Sequence, residues 1–153
     1  MGFQKAFEQQ EFARRVNDVR HRMEDAGFDL LICQDPANMG WLTGFDGWSF
    51  YVPQAVIVHV EEDWPIWFGR AQDAKSAHIT TDLPAGNIIG FSEPLIHHPS
   101  QHPFDELCAL IGGRGWGSSR IGVDSMRTTT RPAPITILSP AYPMRKYRTT
   151  VNW

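Results

Sequence analysis

The chain has 153 residues, 14 Lys and Arg against 17 Asp and Glu, and a formal net charge of −3. This is the length of one domain with its own core, and 42% hydrophobic against 20% charged residues excludes wholesale disorder. A near-neutral balance argues against a dedicated nucleic-acid binder, and no apolar run approaches the ~20 residues that span a bilayer.

The first predicted element is a helix over about 8–26. Phe12, Val16, Val19 and Met23 recur at one face of a 3.6-residue turn. Arg14, Arg15, Asp18, Arg22 and Glu24 are expected mostly on the wet face, and Gly27 is placed to end the helix left-handed. Residues 28–33 then read as a short buried strand. Asp35 and Pro36 form an N-cap and N1 pair for a short helix ending before Gly44. Residues 45–51 are an aromatic segment carrying the flexible Gly47.

Residues 55–60 and 64–68 read as strands joined by the polar turn Glu61-Glu62-Asp63, a hairpin. Pro65 suggests that the second of them begins at an edge or irregularly. A helix over 71–80, a strand over 87–91, a helix over 104–111 with Pro103 at its start and Gly112-Gly113 as its stop, and a strand over 121–123 follow. Strands alternating with helices predict an α/β fold, and the hairpin makes it a mixed β-sheet flanked by helices.

Charge changes along the chain. Residues 1–119 hold 8 basic and 16 acidic side chains, whereas residues 120–153 hold 6 and 1, with Pro132, Pro134, Pro140 and Pro143 among them. This predicts a division into an α/β domain, 1–124, and an atypical Pro/Arg/Thr-rich tail, 125–153. Within the tail only Ile135 to Leu138 has the look of a strand. The tail lacks the interleaved aromatics of a single-strand platform, so a nucleic-acid partner is not expected. No membrane partner is expected either. Residues 1–10 lack a secretory layout, and Cys33 and Cys108 make no disulfide framework, which points to a cytoplasmic setting.

Chemistry-bearing residues are sparse. His97, His98 and His102 cluster in a loop, but zinc sites need further ligands at recognisable spacing, so a polar loop is the better reading. The glycine-rich stretch 112–117 follows a helix and lacks the Lys-Ser/Thr of a phosphate loop. Cys33 and Cys108 read as small core residues, and no Ser/His/Asp or paired-carboxylate motif stands out. Neither a catalytic residue nor a metal or other cofactor is therefore expected in this chain. The aromatic segment is different. Trp41 reads as core, but Trp48 and Phe50 lie on a loop beside Gly44 and Gly47, where rings can cover a small cationic or zwitterionic ligand.

The run Asp35-Pro36-Ala37-Asn38-Met39-Gly40-Trp41-Leu42-Thr43-Gly44-Phe45-Asp46-Gly47-Trp48-Ser49-Phe50-Tyr51 resembles the N-terminal domain of the creatinase/prolidase/aminopeptidase P family, and within it the ectoine hydrolase branch. Residues 65–74, 87–91, 121–124 and 151–153 continue the likeness. The resemblance implies a mixed sheet flanked by helices and a dimeric, two-domain hydrolase that cleaves a C–N bond. It places the catalytic machinery in a C-terminal "pita-bread" domain absent from this chain, which is therefore not expected to be active alone. It also implies that Trp48, Phe50 and Tyr51 cap a small zwitterionic substrate held by a partner subunit in a homodimer. In creatinase an aromatic and an arginine on this loop reach the substrate; Phe50 keeps the ring, but Val52 stands in place of the arginine. A stand-alone module binding a small solute at Trp48 and Phe50 is the alternative.

The same likeness offers a reading of the tail. Codons for the family's Asp-Asn-Tyr-Tyr, read one base out of phase, give a threonine run, and those for Leu-Pro-Asn-Ala-Lys give Tyr-Pro-Met-Arg-Lys, as at residues 142–146. A frame-shifted stretch over about 127–148 is the resulting expectation, which the gene's nucleotide sequence decides.

Overall fold

The computed structural model describes residues 5–47, 49, 51–124 and 136–138, the last three by backbone alone. Helix α1, Gln9–Ala26, forms where the 3.6-residue spacing placed it, burying Phe12, Val16, Val19 and Met23. Gly27 closes it at φ 78°, while the Phe28 N–H returns to the Met23 carbonyl at 2.7 Å. Strand β1, Leu30–Cys33, and helix α2, Pro36–Thr43, follow. The Asp35 carboxylate caps α2 by accepting from the backbone N–H groups of Ala37 and Asn38.

Strands β2, Ala55–His59, and β3, Ile66–Arg70, form the predicted antiparallel hairpin, with Ala55 opposite Phe68 and Ile57 opposite Ile66. Helix α3, Ala74–Thr80, strand β4, Ile88–Phe91, helix α4, Pro103–Gly113, and strands β5, Ile121–Asp124, and β6, Thr136–Leu138, complete the chain. One mixed sheet results, in the order β4-β3-β2-β1-β5-β6. The weak strand signal at 135–138 is thus realised as β6, antiparallel to β5. Otherwise the tail, including the stretch read as frame-shifted, lies outside the described residues.

Both faces of the sheet are covered, so β1 and β2 are buried along their whole length. On one face α1, α2 and α3 enclose Met23, Met39, Val56, Val58 and Trp67; on the other α4 covers Leu30, Ile57, Phe68 and Phe91. Residues alternate between these cores along each strand, as the pleat requires.

Four expectations are corrected. Pro65 does not mark a sheet edge: β3 lies between β2 and β4, and the proline stands one residue outside it. Arg15 is 7% exposed rather than on the wet face. Its Nε donates to Glu11 at 2.8 Å, Nη1 donates to the Trp41 carbonyl, and Phe7, Phe12 and Trp41 surround its guanidinium. Planar and weakly hydrated, this cation tolerates such an aromatic site. Trp41 is 44% exposed because it flanks that guanidinium instead of entering the core. Cys108 is exposed, since the buried stripe of α4 is Leu107 and Ile111.

Candidate functional site

Strand directions single out one end of the sheet. β1 runs parallel to β5, and β3 to β4, while β2 runs against both β1 and β3. Four strands therefore point their carboxyl ends the same way. The segment between α2 and β2 enters β2 at this edge, since Val56 pairs with Cys33, the last residue of β1. In open α/β sheets such edges are where ligands meet loops.

The segment is anchored ring by ring. Gly44 turns at φ 76°, and a side chain there would meet Phe12 at 2.9 Å. Phe45 is buried, 5.2 Å between ring centres from Trp67, and Gly47 packs so close to the Phe45 ring that a Cβ there would clash with it. The Asp46 N–H donates to Thr80 Oγ1 at 3.4 Å, and Ser76 Oγ donates to the Asp46 carbonyl, which ties the loop to α3. The Val52 N–H then closes a turn onto the Ser49 carbonyl at 3.2 Å.

Of the three predicted capping residues, Tyr51 is 67% exposed at that turn, and Trp48 and Phe50 lie outside the described residues. Val52, expected in place of an arginine, is buried. Arg70 lies close to Tyr51 at the end of β3, and its Nε donates to both Glu93 oxygens at 3.0 and 3.2 Å. The Glu93 bond, with smaller help from Asp73 and Tyr51, holds the Arg70 pKa above its usual value.

Asp124, at the end of β5, belongs to the family-like run 121–124, but nothing beside it in the sequence marks a role for its side chain. It is buried, and its Oδ2 accepts from Asn38 Nδ2 at 2.7 Å and from Cys33 Sγ at 3.3 Å. It thereby pins the start of α2 to the sheet. Burial first, then the Asp124 charge, push the Cys33 thiol far above its usual pKa, which leaves it a poor nucleophile.

The histidine loop does not converge on a centre. His98 Nδ1 accepts from the Ser100 and Gln101 N–H groups, and His102 Nδ1 caps α4 at Phe104. Asp105 answers by accepting from the His102 N–H at 2.8 Å, a capping box with an imidazole in the hydroxyl's place. Among the described residues no group of three or more His, Cys, Asp or Glu is placed to hold a metal ion. The glycine-rich connector is fixed by Trp116, which is 8% exposed and stacks on His59 at 4.6 Å.

The Creatinase/Prolidase N-terminal domain profile matches residues 15–133. The chain belongs to this family. Curated proteins that share the domain include a hydrolase and hydrolase/peptidase-like proteins. The chain is 40% identical over 119 residues to the ectoine hydrolase of Halomonas elongata, covering 77% of this chain and 30% of that protein. It is 36% identical over 118 residues to an uncharacterized hydrolase/peptidase of Sinorhizobium fredii, again over 77% of this chain and 30% of the other. The chain thus spans about a third of the length of the curated relatives it matches. The fold is shared with the corresponding domain of an X-Pro dipeptidase from Streptococcus pyogenes (TM-score 0.59, 18% identity, 77% of this chain and 81% of that one). It is shared also with dipeptidase PepE from Mycobacterium ulcerans (TM-score 0.61, 18% identity, 80% and 31%). Among the described residues no helix is long and apolar enough to cross a membrane.

Proposed function

We propose that this domain is the scaffold and lid of a dimeric, cytoplasmic two-domain hydrolase, whose bond-breaking groups lie in a catalytic domain outside this chain. The substrate is a small zwitterion of the ectoine type, cleaved at a C–N bond. Trp48, Phe50 and Tyr51 reach over the pocket of the partner subunit in a homodimer and exclude water from it, which strengthens the polar contacts inside. The observation that carries this reading is the 40% identity to ectoine hydrolase across the domain that holds the loop. The exposure of Tyr51 at the carboxyl edge supports it.

The test is a chimera in which this chain replaces the matching third of the Halomonas elongata ectoine hydrolase. Replacing Trp48, Phe50 and Tyr51 together with alanine is expected to raise KM for ectoine about 10-fold or more, at unchanged dimer mass and unchanged Tm. An unaltered KM would remove the lid from the proposal. The chain alone should turn over neither ectoine nor an Xaa-Pro dipeptide, and calorimetry should detect no ectoine binding to it. Heat of binding at micromolar chain would favour a stand-alone solute module instead.

A further inference from the structure

Four buried polar atoms are left over by the fold. Among the described residues, both ends of the Gln54 amide, the Trp67 indole Nε1 and Asp73 Oδ2 find no hydrogen-bond partner. Gln54 is 5% exposed and Trp67 is fully enclosed. Register brings these two together. Ala55 pairs with Phe68, so Gln54, one residue earlier, stands opposite Gly69. Ala55 and Val56 belong to cores on opposite faces, and the alternation directs Gln54 to the face of Val56 and Trp67.

On that face the Trp67 indole folds over Gly69. A Cβ on this glycine would stand 2.6 Å from Cζ2 and 3.4 Å from Cε2, the ring atom bonded to Nε1. Asp73 is folded back onto the end of β3, its N–H donating to the Arg70 carbonyl at 2.9 Å, and it opens α3, which covers the same face. Gln54 and Trp67 thus share one face of the β2–β3 pair and Asp73 opens the helix that covers it, and none of their four atoms bonds to another.

Buried polar groups in folded proteins are paired almost without exception, by ordered water where no protein group serves. An internal water needs two to four polar partners. We propose that Gln54, Trp67 and Asp73 hold an internal water site that ties the entry of β2 to the start of α3. The water accepts from the indole and the amide N–H groups and donates to the Asp73 carboxylate and the Gln54 carbonyl. The site belongs to this domain alone and stands whether or not the loop caps a substrate.

Isotope-labelled chain in solution tests it. The Trp67 Nε1 proton is expected to show a dipolar cross-peak to a long-lived water, distinguished from chemical exchange by its sign in the rotating frame. Gln54→Leu should weaken that cross-peak at least several-fold, and Asp73→Asn, which keeps an acceptor, should retain it. Absence of the cross-peak from the unaltered chain would overturn the proposal, whatever the variants do. So would Gln54 amide protons found bonded to a protein carbonyl.

Discussion

At the amino ends of β1 and β5, Asp29, His59, Trp116 and Arg120 interlock, whereas at the carboxyl ends Tyr51 is exposed and Gln54, Trp67 and Asp73 keep buried polar atoms unpaired among the described residues. The Asp29 carboxylate accepts from the Arg120 N–H at 2.7 Å and from its Nε and Nη2. Arg20 donates to the His59 and Glu62 carbonyls, and Arg114 lies over the Trp116 ring. One end of the sheet is stapled by side chains, and the other leaves buried polar atoms to the water proposed above. The difference separates a foundation from what, on the proposed reading, is the working edge.

The largest expected effect lies at the stapled end. Trp116→Ala should destabilise the domain by about 3–5 kcal/mol, read as a lower denaturation midpoint in urea, because it empties a buried ring site and removes the stack on His59. A loss below about 1 kcal/mol would mean that the connector is not held there.

Asp29→Ala should cost about 1 kcal/mol, less at high salt, because the side chains of Asp29 and Arg120 are 34% and 57% exposed. The Arg120 hydrogen bonds hold the Asp29 carboxyl below its usual pKa, and those from Arg14 and then Arg15 lower Glu11 to about 2. Folded values below unfolded ones give stability that is complete above the unfolded values, near 4 to 4.5, and lost as pH falls through the folded ones. Thermal melts between pH 5 and about 2 should therefore decline, and Glu11→Gln together with Asp29→Asn should flatten that decline.

At the working edge the effects shrink. Gln54→Leu should cost only about 1 kcal/mol by thermal melt, since it removes part of the hydrogen bonding of the proposed water while keeping a side chain of similar size. A loss like that of Trp116→Ala would place Gln54 in the foundation and erase the contrast. Tyr51→Ala is expected to shift stability by about 0.5 kcal/mol or less, as exposed positions do.

Periodicity and punctuation made most of the fold legible. The Phe12-Val16-Val19-Met23 stripe, the Asp35-Pro36 cap, the polar turn at 61–63 and the glycines after α1 and α2 act within a few residues, so the string displays them directly. The misreadings have another origin. Arg15 and Trp41 are 26 positions apart, and their mutual shelter exists only once α2 packs beside α1. Asp124 looks ordinary until β5 lies parallel to β1 and brings Cys33 and Asn38 to it. Trp116 in a glycine-rich stretch reads as connector, yet His59 waits for it across the fold.

Local steric and hydrophobic patterning determined the helices, the strands and their mixed sheet, while the run at 35–51 carried the resemblance to the family. Tertiary structure alone decided which charges are buried, which rings are exposed and which polar atoms meet at the carboxyl edge. Those outcomes depend on residues far apart in sequence, whose meeting is set by strand order and register rather than by their neighbours along the chain.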